Sequence, residues 1–149
     1  MTHFKLLGEP EGNHKSTKSS KIFGNIYNFI MYLAPAKTSG FNLCPHAGDC
    51  AKTCLFLSGN GQVFSHVNEA RIRKARQFKL DPVFFFKDLR QDLNRVLEIC
   101  KKENKKAVIR LNGTSDIAFE KYGIFQEYPE IQFYDYTKDP RRALAFARG

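Results

Sequence analysis

The sequence predicts an α/β fold, a small, mainly parallel sheet with crossover helices, with a partial (βα) barrel as the larger version of the same topology. Three observations carry this. Short apolar runs with β-branched and aromatic residues recur at Ile26 to Leu33, Ala107 to Gly113 and Ile131 to Thr137. Helical periodicity separates the first two runs. The 149 residues, 42% hydrophobic with fourteen Phe, suit one packed domain rather than a disordered chain. No internal repeat and no linker divides residues 1–149.

The first elements follow in order. Residues 1 to about 22 are polar and basic, with Gly8, Pro10 and Gly12 interrupting any periodicity and Lys15, Lys18 and Lys21 among Ser and Thr. This predicts a solvated arm or a short hairpin, with an anion-binding arm as the sharper reading. His3 and His14 fall in it as solvated residues. The run IYNFIMYL predicts a buried strand that stops at Pro35. A loop follows, punctuated by Gly40, Pro45, Gly48, Gly59 and Gly61.

Ser65 is the expected N-cap of a helix that buries Val67, Ala70, Ala75 and Phe78. Its other side carries Arg71, Arg73, Lys74 and Arg76, a solvated face or a nucleic-acid-backbone contact. His66 reads as a surface or capping residue. Asp81-Pro82 opens a second helix, with Phe85, Leu89, Leu93, Val96, Leu97 and Cys100 as its apolar stripe. AVIRLNG is the second strand, Asp116 to Gln126 a short helix capped by Ser115, IQFYDYT the third strand, and Pro140 to Arg148 a last helix.

Sites in parallel α/β folds gather at the carboxyl ends of strands. Here those ends hold Asn112, Thr114, Ser115 and Asp116 after the second strand, and Asp135, Tyr136, Thr137 and Lys138 after the third; the six other than the two threonines are the candidate contacts. These six residues are expected to share one edge as ligand contacts or as support for them. Lys138 suits an anionic ligand and Asp116 suits orienting a donor.

The first strand runs into Cys44, Cys50 and Cys54, spaced C-x5-C-x3-C. Three thiols this close point to one metal centre, because thiolates are soft ligands for iron–sulfur clusters and zinc. The leading reading is a 4Fe-4S cluster; zinc, or free or disulfide-bonded thiols, are the alternatives. A structural zinc site takes four ligands, often as C-x2-C knuckles, and the loop has none. His46 could complete a Cys3His set, although one residue separates it from Cys44. A cluster on three cysteines leaves one iron for a small molecule or for Cys100, which otherwise packs in the core.

Net charge is +9, which favours polyanions such as nucleic acid without bearing on fold. No stretch is long and apolar enough to span a bilayer, and the N-terminus lacks the apolar middle of a secretory signal. A reducing cytoplasm is the expected location, where clustered thiols bind metals or react. Walker, GxGxxG and Ser/His/Asp signatures are absent.

Four stretches, GNHKSTK, LAPAKTSGFNLCPHAGDCAKTCLFLSG, RLNGTSDI and IQFYDYTKDPRR, together span most of the chain. On these the chain resembles the phage gene-product-eighty-eight-like proteins. The resemblance implies a phage protein in the cytoplasm of an infected host. A more distant likeness is to radical S-adenosylmethionine enzymes, which hold a cluster on three cysteines after the first strand of a (βα) barrel. Those cysteines are typically spaced C-x3-C-x2-C, and the aromatic residue often beside the last one is here Leu55, with Phe56 beyond. Two functions follow as expectations: a cluster-binding redox or radical-type protein, or a nucleic-acid-binding accessory protein with a structural metal.

Overall fold

The computed structural model describes residues 3–10, 14–52, 54 and 65–148. Gly12, Leu55, Phe56, Gly59 and Gly61, on which some sequence expectations rest, lie outside them. The elements run α1 (His14–Phe23), β1 (Ile26–Ile30), a 3₁₀ turn (Gly48–Ala51), α2 (Ser65–Leu80) and α3 (Pro82–Lys102). They continue with β2 (Lys106–Arg110), a second 3₁₀ turn (Phe119–Tyr122), α4 (Ile124–Glu127), β3 (Gln132–Phe133) and α5 (Pro140–Ala147).

The three strands form an open, wholly parallel sheet in the order β1-β2-β3. Phe29 stands opposite Ile109, and Ile109 opposite Phe133. Phe29 and Ile109 are fully buried in a core shared with Phe85, Leu89 and Leu93 of α3. That helix begins as its sequence dictates: Asp81 accepts from the Phe84 N–H at 3.3 Å, and Pro82 occupies the first turn, where a missing donor costs nothing. It ends where Asn104 turns left-handed (φ 52°) and the Lys105 N–H returns to the Cys100 carbonyl. Rings of Phe78, Phe85, Phe86 and Phe119 pack edge-on or tilted between the helices and the second 3₁₀ turn.

The N-terminal segment departs from the solvated arm that its composition predicts. Leu6 and Leu7 are core residues, and His14–Phe23 is a helix packed against β1. The cause lies far away in sequence. Asp92, fully buried on α3, accepts from the N–H groups of both Leu6 and Leu7 at 2.7 Å. Lys74 donates to the Leu6 carbonyl, Arg95 to the Leu7 carbonyl, and Leu7 forms an antiparallel bridge with Met31. Backbone polar groups that would otherwise oppose burial are thus satisfied by side chains of two helices.

All three strands and one helix are shorter than the sequence predicts: β1 ends at Ile30 rather than Leu33, and β2 at Arg110 rather than Gly113. The third strand pairs only at Gln132–Phe133, because the backbone beyond Tyr134 turns to meet Asn112 and Asp116. The helix expected over Asp116 to Gln126 is a 3₁₀ turn and a single helical turn, divided at Gly123 with φ 75°. Ser115 does not cap it; its hydroxyl donates to Asn112.

Candidate metal centre

The site is assembled where β1 and β2 end. The Met31 N–H donates to the Arg110 carbonyl and the Gly113 N–H to the Met31 carbonyl, both at 2.9 Å, so the two chains stay together past the sheet. Gly113 permits this: a Cβ there would lie 2.6 Å from the Met31 carbonyl oxygen and from the Tyr32 ring. The Thr114 hydroxyl then donates to the Leu33 carbonyl at 2.5 Å. The Asp116 N–H donates to the Leu43 carbonyl at 2.9 Å, tying the start of the cysteine loop to the end of β2.

Within the loop, Asn42 accepts from the Cys44 N–H at 3.0 Å, and the Cys44 thiol faces the Thr114 carbonyl at 3.8 Å. The turn Gly48–Ala51 carries Cys50, with Gly48 left-handed at φ 51°. Cys44 and Cys54 are half-buried and Cys50 is exposed. All three open on one cavity of about 390 Å³, which Pro35, Ala36, Arg110, Thr114, Asp116 and Lys138 also line. Tyr136, Ser115, Gly113 and Thr137 lie on the same wall. A smaller cavity of about 220 Å³ beside His3, Phe4, Gln77 and Asp88 contains no cysteine.

Burial pushes the Cys44 thiol above its ordinary range, and the negative charges of Cys54 and Asp116 push it further. Backbone hydrogen bonds at Ala36 and Asp116 partly offset this. Burial lowers Arg71, which feels the opposing charges of Tyr32 and Cys54. The Arg71 guanidinium lies over the Tyr32 ring, 5.0 Å from its centroid.

The strand-end residues divide into two groups. Ser115, Asp116, Tyr136 and Lys138 reach the cavity; Asn112 and Asp135 do not line it. Asn112 is fully buried and makes four contacts: its amide donates to Ile117 and Asp135, and its carbonyl accepts from Ser115 and the Ile117 N–H. Asp135 also receives Arg142 at 3.2 Å and the Tyr136 N–H at 2.8 Å; burial nevertheless raises its pKa. Asp116 accepts from Thr137, from the Lys138 N–H and from Arg142, whose guanidinium also holds Glu120. Arg142 thereby fastens α5 to the cavity wall.

Cys100 lies at the other end of β2. Its carbonyl receives Lys105, immediately before the strand, whereas the cavity opens after Arg110. Five strand residues, about 16 Å at a rise of about 3.3 Å each, intervene. Cys100 is a core residue whose thiol burial pushes up to about 11. His46 pairs with Asp139, the N-cap of α5, at 3.4 Å. The four cations of α2 do not make one solvated face. Arg71 covers Tyr32, Arg73 covers the Phe4 ring, Lys74 holds Leu6, and Arg76 donates to the Ser39 carbonyl at 3.1 Å.

Thr114 and Thr137 line the cavity as strand-end polar residues, and Arg110 is the lining residue that the strand-end pattern did not include. Arg110 carried a signal: it is the one charge within AVIRL, at the last position of a buried strand.

Among the described residues no group of three or more His, Cys, Asp or Glu side chains is placed to hold a metal ion. The three thiols stand around a space large enough for a polyatomic group. No helix among the described residues is long and apolar enough to cross a membrane.

Fold and site together define a small parallel α/β protein with a cysteine-lined cavity at the carboxyl edge of its sheet. The family model described as Gene product 88 matches residues 5–148, and the chain belongs to that family. No curated protein and no solved structure matches it.

Proposed function

We propose that this is a phage protein that binds an iron–sulfur cluster, of the 4Fe-4S type, through Cys44, Cys50 and Cys54. The observation that supports this reading is the opening of all three thiols, from separate parts of one loop, onto a single cavity at the strand ends. When bound, such a cluster supplies electron transfer and a coordination position that no cysteine fills. The chain's own residues have separate tasks. Backbone hydrogen bonds at Ala36 and Asp116 act on the Cys44 sulfur, the kind of contact that tunes a cluster's potential. Arg71 offsets thiolate charge near Cys54. Residues Pro35, Ala36, Ala47 and Ala51 give the cavity an apolar lining that limits water. A redox or radical-type role is the function class that this chemistry favours.

Anaerobic purification followed by visible absorption and iron and sulfide analysis tests the reading. The expected result is a brown protein with iron and sulfide in near-equal amounts. Serine at position 44, 50 or 54 lowers both, and Cys100→Ser leaves both unchanged. A colourless protein that takes up only zinc would falsify the cluster and leave the structural-metal reading; uptake of neither metal removes both. The second reading, a nucleic-acid-binding accessory protein with a structural metal, draws on the net charge of +9. It predicts binding to DNA or RNA that weakens steeply with added salt.

A further inference from the structure

We propose that Arg110 and Lys138 form an anion subsite in the same cavity, which takes the carboxylate of a small organic acid. The inference goes beyond cluster binding and stands on different residues. Arg110 is the last residue of β2, and its guanidinium lies over the Tyr136 ring, 4.6 Å from the centroid. Its Nε is buried and has no hydrogen-bond partner. Among the described residues no carboxylate pairs with the side chain of Arg110 or of Lys138. The acids nearby are already engaged: Asp116 by Thr137, the Lys138 N–H and Arg142, and Asp135 by Asn112 and Arg142.

The hydroxyl donors of the wall are engaged too. Thr114 donates to Leu33, Ser115 to Asn112 and Thr137 to Asp116. The charged donors left for a ligand are therefore the two cations. The terminal amino groups of the Arg110 guanidinium are not buried and have no hydrogen bond among the described residues, so they can meet an entering anion. Stacking on Tyr136 holds the plane of the guanidinium, whose two terminal nitrogens match a carboxylate with two parallel hydrogen bonds. Lys138 adds a point charge from the third strand's end. Pro35, Ala36, Ala47 and Ala51 supply apolar wall for the body of an organic acid, which inorganic phosphate would leave unused. The cavity's volume, about 390 Å³, is in the range of small-molecule pockets.

The side-chain Nε–H resonance of Arg110 in the ¹⁵N-labelled full chain reads the site directly, assigned by its loss in Arg110→Lys. Succinate, glutamate, benzoate and inorganic phosphate serve as probes at constant ionic strength. The expected result is a saturable shift with at least one organic acid at millimolar concentration. Arg110→Lys and Lys138→Met each weaken that acid's binding, read by calorimetry, by about tenfold or more, as for a lost charge-assisted hydrogen bond. Unchanged thermal midpoints establish that both variants fold. No saturable shift with any acid, phosphate binding as tightly as the acids, or affinity indifferent to both variants overturns the proposal. Iron and sulfide are assayed on the same samples. Cluster without acid binding sinks this inference alone, and acid binding without cluster sinks only the cluster reading.

Discussion

At the N-terminal latch, charged side chains hold backbone groups and pair with one another, with only the Asp92 Oδ1 and Arg95 Nε atoms making no hydrogen bond; at the cysteine cavity, two cations have no acid partner among the described residues. Asp92 carries two backbone N–H groups and lies 3.3 Å from His3 and 3.5 Å from Arg95, and Lys74 takes the Leu6 carbonyl. The cavity instead presents three thiols, a buried arginine nitrogen without an acceptor, and a lysine with no acid. The first region spends its polarity on holding a chain segment in the core. The second is held by its own inner network, Asn112, Asp116 and Arg142, and leaves a different set of groups facing the space. Stability and ligand chemistry are therefore carried by separable residues, which mutation can test.

The largest effect is expected at the latch. Asp92→Ala leaves two buried N–H groups and nearby cations without their carboxylate, and should cost about 3–5 kcal/mol by urea unfolding. A loss under about 1 kcal/mol would show that the N-terminal segment is not docked through Asp92. Gly113→Ala comes next. Its new Cβ would meet backbone and ring atoms closer than 3.0 Å, so a cost of about 1–3 kcal/mol is expected, with reduced iron retention because the cavity wall must move. Stability equal to the parent protein would mean that the two strand ends separate freely.

A pH experiment sharpens the contrast. Burial lowers the Lys74 pKa from 10.5 to about 8, ahead of the opposing pull of Asp92. Between those two values the unfolded chain keeps a proton that the folded chain releases, so stability rises with pH across that window. Across the whole window the effect is about 3 kcal/mol. The Cys44 and Cys100 thiols are raised and act in the opposite direction, losing stability as pH climbs past the ordinary thiol range. Comparison with Lys74→Met isolates the lysine: the difference between the two proteins should change from pH 8 to 10, and a flat difference would refute the assignment.

The smallest structural perturbation is chemical. In metal-free protein, iodoacetamide should modify exposed Cys50 first and half-buried Cys44 more slowly. Cys100 should come last, its thiolate fraction about 100-fold lower than an unperturbed thiol's. Mass spectrometry of the digested protein gives the order. Early modification of Cys100 would contradict its place in the core.

Much of this was legible in the chain. Asp81-Pro82 and the Phe85, Leu89, Leu93, Val96 stripe specify α3, because capping and periodicity are local properties. The parallel order and the meeting of Cys44, Cys50, Cys54, Ser115, Asp116, Tyr136 and Lys138 at one edge follow from the alternation of strands and helices. The N-terminal segment did not announce itself, since its burial depends on Asp92, some 85 residues away in the chain.

Local chemistry by itself determined which residue types stood near the strand ends and that three thiols shared one loop. Only the tertiary structure decided which polar groups were already engaged. It turned Asn112 inward, tied Asp135 to Asn112 and Arg142, drew the α2 cations onto Tyr32, Phe4, Leu6 and Ser39, and left the Arg110 Nε without an acceptor. The physical reason is that a hydrogen bond needs a partner within about 3 Å, and which partners come that close is a property of packing between distant segments.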